Sequence, residues 1–479
     1  MSTIKQPQPP QGESFRDHIS TVDEKSGKRI WVYPKKPKGR FYRWRTWLSW
    51  LLLGFLFAAP FIKVNGEPLL LFNVVDRKFI LFGVQFLPQD FHLFVFAALT
   101  AIVFLVLFTV IYGRIFCGWF CPQTIFMEMV FRKIEYLIEG DAKAQRRLAK
   151  APWTAEKIFK KGLKLGIFFL IAVIIANVFL SYIIGVDRVF QIASEPISQH
   201  WRGFIALILF SFVFFGVFAY MREQVCIAIC PYGRLQGVMI NEDTVVIAYD
   251  FVRGEPRGKL RKGSADSDTE KRGDCIDCKL CVQVCPTGID IRNGTQLECI
   301  NCTACIDACD GVMDKIGKPR GLIRYDSYNG IVKGEKKIFT PRVIAYSVVL
   351  ALLVIGNILM LSHRTEVETL LLRTPGQLYQ KTEDGYISNL YNYEVINKTD
   401  KDMPIEFELT EGQKIEGIRF RIVGDIQPVA KAGDVVKGVM FIDIPKDQLK
   451  SRKTVLHVKV LSNDKVVDRA KTTFLGPVR

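Results

Sequence analysis

Cys275-Ile276-Asp277-Cys278-Lys279-Leu280-Cys281-Val282-Gln283-Val284-Cys285-Pro286 is followed closely by Cys299-Ile300-Asn301-Cys302-Thr303-Ala304-Cys305-Ile306-Asp307-Ala308-Cys309. Both runs read C-x2-C-x2-C-x3-C, the spacing that wraps a pair of [4Fe–4S] clusters, with the fourth cysteine of each run crossing to the other cube. Cys275, Cys278, Cys281 and Cys309 are therefore expected around one cluster, and Cys299, Cys302, Cys305 and Cys285 around the second. A single C-x2-C is ambiguous, because zinc ribbons use it as well. Eight cysteines inside 35 residues, in two matching runs, leave little room for zinc or disulfides. The second run departs from the usual pattern at its end, where Asp310 stands in place of proline. Clusters of this kind pass single electrons, so the chain is expected to move electrons.

Outside this bacterial-type two-cluster ferredoxin segment the chain is strongly apolar. Of its 479 residues 49% are hydrophobic and 35 are Phe, and they lie in blocks. A bilayer core of about 30 Å needs ~20 mainly apolar residues. Trp47–Ile62, Phe91–Tyr112, Leu165–Val186, Phe204–Met221 and Val343–Leu361 meet or approach that length without an Asp, Glu, Lys or Arg. A five-helix transmembrane bundle is expected. The first block follows more than forty polar residues and is not read as a cleavable signal peptide. The Pro-, Gln- and Lys-rich segment before it is expected to be disordered.

Lys and Arg in short loops set orientation. Residues 1–45 carry 11, loop 63–90 carries 3, loop 113–164 carries 11, and 185–200 holds only Arg188. The N-terminus and the cysteine runs are thus expected in the cytoplasm, where thiols stay reduced, and the C-terminus outside. The net charge of +17 requires no nucleic acid; basic loops against anionic inner-membrane lipid account for it.

Three connecting regions have their own patterns. Pro68–Val75 and Lys78–Phe86 read as a hairpin around Asp76-Arg77. Ile125–Ile138 reads as an interfacial amphipathic helix, and Val252–Gly273 as a mobile lead into the clusters. Beyond Arg364 the period changes to two, in Ile405–Leu409, Ile418–Ile422 and Leu456–Val460. With turn residues such as Ser462-Asn463-Asp464, this argues for an antiparallel β-sandwich of roughly seven strands.

The remaining four cysteines form an internal repeat. Cys117-Gly118-Trp119-Phe120-Cys121-Pro122 follows the second block and Cys226-Ile227-Ala228-Ile229-Cys230-Pro231 the fourth, with equivalent cysteines 109 residues apart. Spans one–two and three–four are read as a duplicated hairpin. Within a helix, C-x3-C sets both sulfurs on one face, with Cβ atoms about 5–6 Å apart, and the following proline forces a kink or a fresh helix start. Four thiolates meeting where the hairpins converge would select Cu(I), zinc or an iron–sulfur cluster. Zinc is redox-silent, which leaves copper or a third cluster; inert buried cysteines are the plain alternative. The five histidines are His18, His92, His200, His363 and His457. They do not supply the facing pairs of a diheme cytochrome. His92 and His200 follow the same repeat and are read as interfacial. Met127, Met129 and Met239 lie just beyond the C-x3-C-P pairs and offer thioether ligands or simple packing.

Taken in order, both C-x3-C-P pairs, the segment Tyr249-Asp250-Phe251-Val252-Arg253-Gly254-Glu255-Pro256-Arg257-Gly258, the ferredoxin runs and the terminal sandwich resemble the CcoG family, also called FixG or RdxA. The resemblance covers nearly the whole chain. It implies a membrane iron–sulfur protein assisting assembly of cbb-type cytochrome c oxidases, with an Ig-like C-terminal domain. It also implies a cupric reductase role, in which Cu(II) bound at Cys117, Cys121, Cys226 and Cys230 is reduced to Cu(I). Oxidase subunits or copper-delivery proteins and a cytoplasmic electron donor would be its partners. The C-x3-C-P pairs and ferredoxin runs alone are shared with NapH- and NosR-like proteins, so a quinol-linked relay stays open, as does a redox-sensing assembly scaffold. No nucleotide-binding Gly-rich fingerprint is present.

The expected organisation is a basic cytoplasmic segment 1–45, four transmembrane helices as two hairpins over 46–240, and the ferredoxin-like domain 241–338. A fifth transmembrane helix at 339–363 and a periplasmic Ig-like β-sandwich at 364–479 complete it. The whole is read as a multi-pass protein of the bacterial inner membrane.

Overall fold

The computed structural model describes residues 21–477, apart from 24–25, 65–66, 75–77, 87–89, 260–271, 336, 377, 400, 414, 425–426 and 450. The N-terminal segment expected to be disordered lies largely outside the described residues. So do most of the expected mobile lead and the turn Asp76-Arg77. The chain divides into two compact units, one reaching to Ile62 and resuming over Phe96–Ile355, the other built from Lys63–Val95 and Gly356–Arg479.

Among the described residues four helices are long and apolar enough to cross a bilayer: Phe91–Tyr112, Ala155–Ile184, Ile197–Met221 and Pro341–Ser362. Only 11% of the apolar window of Phe91–Tyr112, and 6% of that of Pro341–Ser362, is buried inside the protein. Apolar surface turned outward on this scale belongs in lipid. The chain is a multi-domain membrane protein. Of the other expected span, Trp47–Ile62, only Trp47–Ala58 is helical, as the second part of a helix over Arg40–Ala58 that opens on Arg40, Arg43 and Arg45. Its apolar stretch is too short and too diluted by Trp and Arg to stand with the other four.

Local chemistry explains the helix limits. The Thr154 side chain accepts the Lys157 N–H and starts Ala155–Ile184, and Gly185 at φ 86° ends it. That helix packs on Ile197–Met221 through Phe169 against Phe212 at 5.2 Å and Phe179 against Phe210 at 5.8 Å. Deeper in, Phe131 stacks on Phe218 at 4.5 Å and meets Phe168 edge-on at 4.8 Å, with Leu53, Ile125 and Ile175 alongside.

Ile125–Ile138 is not an interfacial helix. It is a π-helical stretch, Phe126–Phe131, running into an α-helix, Arg132–Ile138, and its charged residues Glu128, Arg132 and Glu135 are 8%, 1% and 3% exposed. Ion pairing makes this burial tolerable: Glu135 meets Arg222 at 2.7 Å and Lys164 at 3.5 Å, and Arg132 meets Glu128 at 3.3 Å. Removing one partner of such a pair would strand the other charge.

In the second unit, one antiparallel sheet runs Arg419–Ile422, Val435–Pro445, Tyr386–Asn397, Val367–Arg373, with Gln380–Lys381 beside Tyr386–Asn397. A second pairs Glu406–Leu409, Lys453–Ser462 and Lys465–Leu475. The alternating runs read from the sequence fall on strands of both. Asn463 and Asp464, at φ 48° and 63°, close the last hairpin, the left-handed pair that a type I′ turn demands. Tyr391, Ile442, Val458 and Phe474 fill the interior at 0% exposure, and the Tyr391 hydroxyl donates to the Thr473 carbonyl at 2.9 Å. The expected hairpin in loop 63–90 gains a third strand, as Leu70–Asn73, Lys78–Leu81 and Val84–Phe86 pair in turn. Just beyond it, buried Asp90 accepts from Arg364 at 2.8 Å and Lys398 at 2.7 Å.

Truncating Phe474, fully buried at the sandwich centre, to alanine is expected to cost about 3–5 kcal/mol. Pulse proteolysis of the detergent-solubilised chain should show Phe474→Ala exposing the C-terminal unit at lower urea, with Phe474→Leu losing far less.

Candidate metal centres

The two ferredoxin runs share a backbone. Asp277 and Lys279 take positive φ (49° and 55°), and so do Asn301 and Thr303 (52° and 66°) at equivalent places. Left-handed turns of this sort bend backbone N–H groups toward a bound anion or cluster sulfur. Each run then enters a helix: Leu280–Gln283 carries Cys281, and Ala304–Lys315 carries Cys305 and Cys309. Strands Val246–Tyr249 and Ile323–Asp326 pair behind them. Cys281, Cys285, Cys299, Cys302 and Cys305 line one cavity with Ile247, Ile289, Ile291 and Ile300.

The thiols also reveal their neighbours electrostatically. Burial pushes Cys309 up to about 12, and the thiols of Cys281, Cys275 and Cys278 act in the same direction. Burial raises Cys305 well above the ordinary range, reinforced by Cys302, Cys299, Cys285 and Cys281. Cys309 thus feels the thiols of the first run, and Cys285 acts on Cys299, Cys302 and Cys305 of the second. Burial likewise lifts Cys299 to about 12 and Cys302 to about 11. Among the described residues no three Cys, His, Asp or Glu side chains are grouped to hold one metal ion. Five soft thiols of the two runs lining one apolar space suit [4Fe–4S] cubes, whose corners are spread apart.

The C-x3-C-P motifs adopt matching conformations. Cys121 and Cys230 are each the extended N-cap residue of a new helix, Pro122–Ile125 and Pro231–Met239, with the proline at its first position, where its missing N–H costs nothing. The first cysteines sit one turn earlier, Cys117 in Ile115–Trp119 and Cys226 in the π turn Val225–Ile229. Burial pushes Cys226 up to about 12, helped by Cys121 and Cys117, and raises Cys121, on which Cys117 and Cys230 act. Cys121 and Cys117 thus lie near Cys226, and Cys230 near Cys121. Fully buried Gln236 donates its side-chain amide to the Cys117 sulfur at 3.5 Å.

The thiol site and the ferredoxin segment are in direct contact. Cys117 shares one buried cluster with Val284, Ile300, Cys302 and Ala304. A Cβ on Gly118 would collide with the Ile300 carbonyl oxygen. Glycine is what lets the two backbones touch. Arg45 Nε donates to the Gly118 carbonyl at 2.6 Å, and Trp119 Nε1 to that of Asn301 at 3.3 Å. Arg114 donates to the Leu297 carbonyl, and the Asn301 amide to the Tyr112 carbonyl at 3.3 Å. The Asp307 carboxylate receives the N–H groups of Phe41 at 3.1 Å and Tyr42 at 2.7 Å. It thereby caps helix Arg40–Ala58 with negative charge.

The other candidates take ordinary places. His200 pairs with Glu195 at 2.5 Å. Met127 and Met129 are buried packing residues at 2% exposure. Arg45, Arg114, Asn301 and Gln236 were not legible as site residues. Arg45 carried the nearest thing to a signal, a charge at the mouth of an apolar helix.

Fold and thiols define a membrane-embedded [4Fe–4S] electron-transfer protein bearing a terminal β-sandwich. A 4Fe-4S dicluster domain model matches residues 221–328, a 4Fe-4S binding domain model 94–139, and the "IG-like fold at C-terminal of FixG" model 357–477. Protein RdxA of Cereibacter sphaeroides is 35% identical over 389 residues, 78% of this chain and 80% of its own. Protein RdxB of the same organism is 34% identical, covering 80% and 82%. Nitrogen fixation protein FixG of Rhizobium meliloti is 31% identical, covering 88% and 87%. The chain belongs to the FixG/RdxA family.

Two outcomes are expected from this geometry. Gly118→Val overpacks the contact with Ile300 and should cost about 1–3 kcal/mol, read as a lower Tm and faster amide exchange around Asn301. Ligation must also displace protons from thiols whose pKa is raised, and higher pH removes those protons first. Apo protein should therefore take up iron and sulfide more readily at pH 8.5 than at pH 7; a flat profile in charge-transfer absorbance would contradict this.

Proposed function

We propose that the chain is a cupric reductase serving assembly of a cbb-type oxidase. Cys275, Cys278, Cys281 and Cys309 hold one [4Fe–4S] cluster, and Cys299, Cys302, Cys305 and Cys285 the other. Bound there, these clusters supply one-electron transfer. Cys117, Cys121, Cys226 and Cys230 receive Cu(II), which takes one electron and leaves as Cu(I), the state that soft thiolates prefer. The buried contact of Cys117 with Ile300 and Cys302 carries the reading, because it sets the thiol site beside the second run.

The Lys and Arg bias of the loops supports a topology with the N-terminus and the ferredoxin segment in the cytoplasm of a bacterial inner membrane. The sandwich is then periplasmic, in position to meet oxidase subunits or copper carriers, and a cytoplasmic donor feeds the first run. One observation favours a second reading, a third cluster at the C-x3-C-P thiols: the 4Fe-4S binding domain model spans 94–139 and so includes Cys117 and Cys121.

Replacing Cys117, Cys121, Cys226 and Cys230 by serine together is the test. Copper reduction is expected to fall to background while iron stays at about eight per chain, the content of two cubes. Undiminished copper reduction would overturn the assignment, and a loss of about four irons would favour the third cluster.

A further inference from the structure

We propose that Arg45 and Arg114 are positioning residues that raise the reduction potential of the cluster site formed by Cys285, Cys299, Cys302 and Cys305 above that of its neighbour. The relay thereby gains a direction toward Cys117. This rests on the reading that the C-x3-C-P thiols receive the electron.

The two arginines are buried, at 3% and 4% exposure. Each is held by a main-chain carbonyl, Arg45 by Gly118 and Arg114 by Leu297. Among the described residues Arg45 Nη2 and Arg114 Nε find no hydrogen-bond partner. Among the described residues neither forms an ion pair, so both charges remain uncompensated. They face the second run. Arg114 lines a cavity with Cys299 and Asn301, and Arg45 holds the Gly118 carbonyl where Gly118 meets Ile300, two residues before Cys302. Glu128 also reaches Cys302, and it is engaged by Arg132 at 3.3 Å.

At the first run the positive charge is paired. Its arginine, Arg292, is clamped by Asp290 at 2.6 Å and Asp277 at 2.5 Å. Asp310, the residue standing where proline is usual, adds negative charge beside Cys309. Reduction adds one electron to a cube, so nearby positive charge favours it and negative charge opposes it, strongly so where water is excluded. Electrons entering near Cys278, the exposed thiol of its run, then pass downhill to the site beside Gly118.

An EPR-monitored redox titration of the full-length protein in detergent, without copper, tests this. The two signals are told apart by the change that Cys278→Ser makes in one of them. Arg45→Gln is expected to lower the midpoint of the second site alone, by about tenfold in the reduced-to-oxidised ratio, or ~59 mV for one electron. Arg45→Lys should retain the midpoint, and Asp310→Asn should raise that of the first site. Should Arg45→Gln fail to assemble, Arg114→Gln reads the same quantity. Unchanged midpoints in iron-replete protein, or equal shifts at both sites, would overturn the proposal. The ordering is measured without copper. If it held in a four-serine C-x3-C-P variant that still reduced copper, the copper assignment would fall and this one would stand.

Discussion

The close approach of Gly118 to the Ile300 carbonyl is the constraint around which the membrane part of the molecule is organised. It brings the turn bearing Cys117 against the loop bearing Cys302, with no side chain between the two backbones. The surrounding contacts serve the same join. Arg45 holds the Gly118 carbonyl, Trp119 reaches Asn301, and Asn301 ties back to the end of the Phe91–Tyr112 helix. Asp307 caps the Arg40–Ala58 helix from the ferredoxin side, next to Gly39, where a Cβ would strike its carboxylate. Main-chain contact between glycine and carbonyl fixes the two cysteine-bearing segments against one another at small cost in volume.

Buried charge is the second theme. Glu128, Arg132, Glu135, Lys164, Arg222 and Glu223 form a paired cluster among the helix ends. Arg45 and Arg114 remain without carboxylate partners among the described residues. A buried, unpaired guanidinium is expensive, and a cluster with its thiolates would supply the missing negative charge. The raised thiols belong to the same balance. They stay protonated until a cofactor replaces their protons with cationic iron.

Much of this could be read from the residues because the information is local. Cysteine spacing is local. Pro122 and Pro231 announced fresh helix starts, and the alternation in Leu456–Val460 announced a strand. What escaped depends on distant partners. Ile125–Ile138 has the amphipathic pattern of a surface helix, and only Arg222 and Lys164, far along the chain, turn its charged face inward. Val84–Phe86 is too short to announce a third strand. Gln236 and Asn301 gain their roles from what they touch, which no spacing encodes. Arg45 fell just outside an apolar stretch and looked like an ordinary membrane-flanking cation.

The central claim, that two cubes are held side by side by the crossed cysteine runs, is tested most directly by EPR of the dithionite-reduced, anaerobically purified protein alongside iron analysis. The expected result is a magnetically interacting pair of reduced clusters in protein carrying about eight irons or more. An iron-free protein, or one whose reduced spectrum is a single isolated cluster, would contradict it.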